Sequence, residues 1–159
     1  YLLFLNSDDW LFEEVLWQVK TQIEAHPKHD IYAGGIRSIY ANGSQIDAFP
    51  HGKWPTSMPA FQPAAFVNRQ VFSNSTLFPL NFRIAADFVW FKQQQLEGSS
   101  FYYFNTLITN YSTDGLSSND TARVQEMAKA LKHLGFTWLT RLIWLNRMRF
   151  QLWWKQLIG

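Results

Sequence analysis

The chain has 159 residues, no Cys, a formal net charge of +2 and an unusual aromatic load of 14 Phe, 8 Trp and 6 Tyr. That length and apolarity suffice for one domain with a real core, exclude disorder, and leave more apolar side chain than a small free-standing monomer usually needs. So weak a charge does not argue for nucleic acid, and the absence of thiols excludes disulfides, zinc–thiolate sites and thiol catalysis while fitting a reducing cytosolic setting.

In chain order, Tyr1-Leu2-Leu3-Phe4-Leu5 reads as a short buried strand running into the acidic turn Asn6-Ser7-Asp8-Asp9. Opening in mid-strand, without an initiator Met, it reads as the continuation of something longer. Phe12, Leu16, Val19 and Ile23 recur at helical spacing, Glu13 and Glu14 fall in the expected first turn, and Pro27 ends the helix. Asp30–Ala33 is a strand, Gly34-Gly35 allows a tight turn or bulge, and Ile36–Tyr40 and Gln45–Ala48 flank Ala41-Asn42-Gly43-Ser44, a hairpin signal because Asn-Gly tolerates positive φ. The Pro-, Gly- and Ser-rich stretch from Phe49 to Pro63 is a loop, and Ala64–Val71 is a short helix or strand.

Phe88, Phe91 and Leu96 predict a helix that follows Ala85-Ala86-Asp87 and ends at Gly98. Tyr102–Ile108 is a strand, Asn110–Asp120 a polar loop, Val124–Leu134 a helix stopped by Gly135, and Trp138–Ile158 a final helix. The class is α/β, with residues 1–120 as the main body and 121–159 as a helical tail. Four Asn-x-Ser/Thr triplets, at Asn42, Asn74, Asn110 and Asn119, reflect turn composition rather than glycosylation. No signal peptide is visible, and no stretch of about twenty residues lacks a charge, so nothing clearly spans a membrane.

The acidic turn has two readings. Adjacent carboxylates at a strand's carboxyl end can hold a hard divalent cation and, through it, a diphosphate. Alternatively Asp8 or Asp9 simply caps the helix that follows. Asp87 likewise reads as an N-cap or as a general base whose apolar neighbours Ile84, Phe88 and Phe91 raise its pKa by desolvation. His26 and His29 flank Pro27 in what reads as a solvated turn. His51 and Trp54 read as loop surface or as residues that close over a ligand, and Lys53 or Arg69 as lone cations open to a phosphate.

Four segments in order carry a family resemblance. Phe4-Leu5-Asn6-Ser7-Asp8-Asp9 is similar to the Asp-x-Asp turn of inverting family-2 glycosyltransferases, which have the GT-A fold. Gln62-Pro63-Ala64-Ala65-Phe66-Val67-Asn68-Arg69 resembles that family's acceptor-side segment, Phe82–Phe91 its segment with the catalytic carboxylate, and Tyr111-Ser112-Thr113-Asp114-Gly115-Leu116-Ser117 its closing Gly-x-Ser loop. The likeness covers roughly Tyr1–Ser118 and is nearest to bacterial enzymes that build exopolysaccharide or lipid-linked glycans. It implies a partial GT-A-like mixed sheet with flanking helices and a C-terminal helical tail.

It further implies a Mg²⁺ or Mn²⁺ cofactor on Asp8, with Asn6 and Asp9 assisting toward the nucleotide-sugar donor, and Asp87 as the base acting on a glycan or lipid-linked acceptor. Gln62, Arg69 and Ser117 are the acceptor-side candidates. Asn6 replaces an acid, as does Ala86 before the base, and Gln62 stands where similar proteins often have His. In the family, strands ahead of the Asp-x-Asp turn grip the nucleotide, so this chain by itself is a candidate for inactivity.

In the tail, Trp138, Leu142, Leu145, Trp153 and Trp154 interleave with Arg141, Arg147, Arg149 and Lys155. Trp with Arg suits a helix lying in an anionic membrane interface, on the cytoplasmic face of the plasma membrane. The other outlets for the same residues are the rest of the protein or a second copy in a homo-oligomer. Two rival functions stay open: a non-catalytic membrane or assembly module whose acidic turn is only a cap, and a metal-dependent phosphoryl-transfer enzyme.

Overall fold

The apolar periodicities resolve, in a computed structural model that describes residues 1–52, 55–74, 77–113 and 119–158, into a mixed sheet between helices. In chain order the elements are β1 (Trp10–Leu11), α1 (Val15–Ala25), β2 (Ile31–Ile39), β3 (Gln45–Ala48), a 3-10 turn (Gln62–Ala64), β4 (Ala65–Val67), α2 (Arg69–Asn74), α3 (Ala86–Leu96), β5 (Phe101–Ser112), α4 (Asp120–His133) and α5 (Trp138–Ile158). Expectations placed on Lys53, Trp54 and the Asp114–Ser117 loop fall outside the described residues, as do the side chains of Asn74 and Lys155.

The sheet is organised around β2 and β5, which pair in parallel from Ile31↔Phe101 to Ile39↔Ser112. β1 adds antiparallel to β5, with Trp10 opposite Asn110. On the other side of β2, β3 pairs antiparallel with its second half and β4 with its first. Successive residues of β2 serve opposite faces. Tyr32 and Ile36 join Val15 and Val19 of α1, whereas Ile31 and Ala33 join Trp90 and Phe91 of α3. A third cluster ties Phe88 and Val89 of α3 to Ala130 and Leu131 of α4 and Trp144 of α5, so the two last helices pack on the body through α3.

The α/β class and the Asn42-Gly43 hairpin form as the sequence predicts; Gly43 sits at φ 80° and Asn42 Oδ1 accepts the Ser44 N–H. Several boundaries differ. The expected strand at Tyr1–Leu5 is reduced to one bridge, Leu2 with Val67, and Tyr1, Leu2, Phe4 and Leu5 are exposed. Edge-to-face contacts of Tyr1 on Tyr32 and of Phe4 on Phe72 and Phe78 hold the segment instead. The first helix starts at Val15, not Phe12. Glu13 and Glu14 precede it, with Glu14 at φ 56°, and Val15 and Val19 are buried while Leu16 and Trp17 are exposed.

The two strands expected on either side of Gly34-Gly35 are one continuous β2 with a register irregularity at the glycines. A Cβ on Gly34 would lie 2.5 Å from Ile108 Cγ1 and 2.8 Å from the Thr106 carbonyl oxygen, so the close approach of β5 requires glycine there. The polar loop expected from Asn110 begins later, because β5 runs on to Ser112 with β1 and β2 as partners.

Candidate functional site

β2 and β5 run in parallel, so their carboxyl ends open at the same edge, the position where open α/β sheets accept ligands. Three connections converge there. The acidic turn enters β1 antiparallel to β5. The 3-10 turn is tied to the sheet by a hydrogen bond from the Thr109 hydroxyl to the Pro63 carbonyl oxygen. The first turn of α3 closes the third side. Between them lies a cleft of about 340 Å³ lined by Asn6, Asp8, Gln62, Arg83, Asp87 and Tyr111, among others. Asp8 and Asp87, far apart in the chain, thus face one space.

The two aspartates of the turn part company. Asp9 points inward: Oδ1 accepts the Ser112 N–H at 3.0 Å and Oδ2 accepts Asn6 Nδ2 at 2.8 Å. Burial raises its pKa, against the lowering effect of those two donors. Asp9 is therefore a staple between the turn and β5 and does not line the cleft; it reaches the cleft only through Asn6, as an assisting rather than a contacting residue. Asn6 lines the cleft but spends an amide N–H on Asp9. Neither aspartate caps α1, whose N-cap position is Glu14.

Asp87 is not an N-cap either. It lies in the first turn of α3, after Ala85 at the cap position, and its Oδ1 accepts the Phe88 N–H at 2.7 Å. Desolvation pushes its carboxyl up to about 6, against two backbone donors that lower it. The segment that leads into α3 is held from outside by Glu126 of α4. Its carboxylate accepts the N–H groups of Arg83, Ile84 and Ala85 at 2.7–3.1 Å. Partial burial opposes ionisation of Glu126, yet the three donors together hold its pKa below the usual carboxylate range.

Of the remaining candidates, Gln62 lines the cleft. Arg69 does not: β4 runs antiparallel to β2 and carries it to the opposite end of the sheet, where it is exposed. Ser117 lies outside the described residues. His26 and His29 pack on the Tyr102 ring, at 4.4 and 5.3 Å between centroids. Arg83 and Glu126 went unsingled by sequence reasoning. Arg83 is a cation four residues before Asp87, a readable signal, whereas Glu126 shows its part only when α4 packs beside α3.

Among the described residues no three His, Cys, Asp or Glu side chains converge as a metal site. Among the residues that line the cleft, Asp8, Asp87, Asn6 and Gln62 carry side-chain oxygens suited to a hard cation. Such a set fits Mg²⁺ or Mn²⁺ held by one carboxylate and completed by water and phosphate oxygens, not a self-sufficient cage. No protein-family model matches this sequence, and no curated protein matches it significantly.

Proposed function

We propose that this protein is an inverting, metal-assisted glycosyltransferase with a partial GT-A-like fold, moving a sugar from a nucleotide-sugar donor to a hydroxyl-bearing acceptor. The observation that carries the reading is the shared cleft: an exposed carboxylate at the acidic turn and a desolvated one at the start of α3 face the same volume at the carboxyl ends of parallel strands. Asp8 is the residue to hold Mg²⁺ or Mn²⁺, which when bound offsets charge on the donor's diphosphate. Arg83, on the same cleft, adds a cation for that diphosphate.

Asp87 takes the proton of the acceptor hydroxyl. The acceptor oxygen bonds to the anomeric carbon on the face opposite the diphosphate, and the breaking C–O bond leaves its electron pair on the diphosphate. A carboxyl with a pKa of about 6 is mostly ionised at pH 7 and still basic enough for this work. Gln62 and Tyr111 border the space that the acceptor hydroxyl must cross.

The outer face of α5 supports a peripheral place on the cytoplasmic side of a membrane. Trp138, Leu142, Ile143, Phe150, Trp153 and Trp154 are all exposed. Their spacing puts them on one arc of the helix, with Arg147 and Arg149 at its margins. No helix among the described residues is long and apolar enough to cross a membrane.

The test uses the protein expressed from its full reading frame. A nucleoside diphosphate should raise its melting temperature only with Mn²⁺. Asp8→Ala should lose that protection, and Asp87→Asn should keep it while losing transfer at least a hundredfold. Product analysis separates the rivals: nucleoside diphosphate with a glycosylated acceptor supports glycosyl transfer, inorganic phosphate supports phosphoryl transfer, and no nucleotide effect supports a non-catalytic module.

A further inference from the structure

The polar cleft does not end at Asp87. A second cavity, of about 420 Å³, begins on its other side and shares Gln62, Pro63, Ile84, Asp87 and Tyr111 with the cleft. Its character changes abruptly. Beyond Asp87 the walls are mostly apolar: Ile36, Phe61, Phe88, Val124 and Trp144, together with Met58, Met127 and Met148, with Arg123 and Gln151 as the polar residues among them. The whole chain has three methionines, and all three line this cavity. Unbranched thioether side chains repack around apolar guests of varied shape, and water against mostly apolar walls is readily displaced by such a guest. Its volume lies in the range of ordinary small-molecule sites, roughly 300–1,000 Å³.

The far end is equally informative. A third groove, lined by His51 and Arg147, shares Trp144, Met148 and Gln151 with the apolar cavity. The three spaces thus follow one another, each sharing wall residues with the next, from the acidic turn, past Asp87 and the methionine-lined section, to α5. Arg147 lines the last of these spaces and stands at the margin of the exposed aromatic arc of that helix.

We infer that the acceptor is an amphiphile: its hydroxyl reaches Asp87, and its hydrocarbon chain lies in the methionine-lined cavity and leaves toward the outer face of α5. This rests on the glycosyl-transfer reading and narrows its acceptor from glycan or lipid-linked glycan to a molecule whose chain enters the protein. A wholly hydrophilic glycan would leave this apolar volume unfilled beside the reacting hydroxyl.

Methyl-¹³C methionine labelling tests the inference, with the resonances of Met58, Met127 and Met148 assigned by single Met→Leu variants, because each of these three residues lines the cavity. Dodecyl maltoside below its micelle concentration should shift all three methyl resonances saturably, and maltose should shift none. Met127→Gln and Met148→Gln, checked for an unchanged circular dichroism melt, should each weaken the alkyl glycoside at least tenfold. Trp153→Ser, on the outer face of α5, should not. Unmoved methyls, or binding lost in Trp153→Ser and retained in both glutamine variants, would mean adsorption to the helix surface and overturn the inference.

Protection by a nucleoside diphosphate with Mn²⁺ is scored on the same samples. Nucleotide protection with silent methyls sinks the amphiphile acceptor and leaves glycosyl transfer standing. Responding methyls without nucleotide protection sink the transferase reading, and the acceptor assignment with it.

Discussion

An aspartate held against Ile84 and Phe88 keeps its proton to unusually high pH, and the consequence for stability has a definite sign. The carboxyl of Asp87 is raised from 3.8 to about 6, so the folded protein binds its proton more tightly than the unfolded chain does. Relative to high pH, this adds about 3 kcal/mol of stability that is fully present below pH 3.8, where the group is protonated in both states, and is lost as pH rises through about 6, above which the buried carboxylate is a cost of that same size. Asp87→Asn should therefore stabilise the protein by about 2 kcal/mol at pH 8 and by little at pH 3.5, as read by urea unfolding at both values. Equal gains at both would disprove the buried charge. The rate of transfer should fall below about pH 6, as the base takes up its proton. Lys92 presents the opposite case. Fully buried on α3, it donates to Gln95 Oε1, lies 6.0 Å from the Phe88 ring centroid, and is pushed down to about 8 by desolvation. Below pH 8 the folded state carries the full cost of the buried ammonium, and the cost fades between 8 and 10.5. Lys92→Met should raise stability by about 2 kcal/mol at pH 7 and by much less at pH 11.

At the scale of elements, the placement of Asp87 depends on a contact that joins two helices. Ala85 at the N-cap position has no side chain to cap α3, Asp87 accepts only the Phe88 N–H, and the segment leading into that helix is tied down by Glu126 from α4. Replacing Glu126 with Ala should cost about 1–3 kcal/mol, since several N–H groups lose a charged partner together, and should slow transfer with little effect on nucleotide protection. Glu126→Gln, which keeps an acceptor oxygen, should recover part of both; equal losses in the two variants would reduce Glu126 to a general packing residue. Most elements were legible because their signals are local: Asn42-Gly43 for the hairpin, Gly98 and Gly135 for helix ends at φ 93° and 77°. The misread boundaries share a different cause. β5 extends to Ser112 through polar residues because strands on both sides bond its backbone, and Gly34-Gly35 stays within β2 because β5 approaches too closely for a side chain. Cross-strand hydrogen bonding and close approach leave no mark on hydrophobic period.

Over the whole molecule, α5 joins the core to the surface. Trp144 and Met148 pack inward while the arc from Trp138 to Trp154 faces solvent. Vesicles rich in phosphatidylglycerol should bind the protein at low salt and release it at high salt, whereas neutral vesicles should bind weakly; sedimentation with the Trp153→Ser, Trp154→Ser double variant should show loss of binding. A dimer in solution with no vesicle binding would assign the same face to a second copy. The sequence by itself determined the α/β class, the Asn42-Gly43 hairpin and the helix ends at Gly98 and Gly135, because apolar period and Gly, Pro and Asn conformations act over a few residues. It also marked Asp8, Gln62 and Asp87 as residues worth following. Tertiary structure alone decided that these share a cleft, that Asp9 turns inward to Ser112, that Arg69 lies at the opposite end of the sheet, and that three scattered methionines wall one cavity. Those outcomes depend on strand direction and helix packing, which bring together groups whose separation along the chain carries no information about their distance in space.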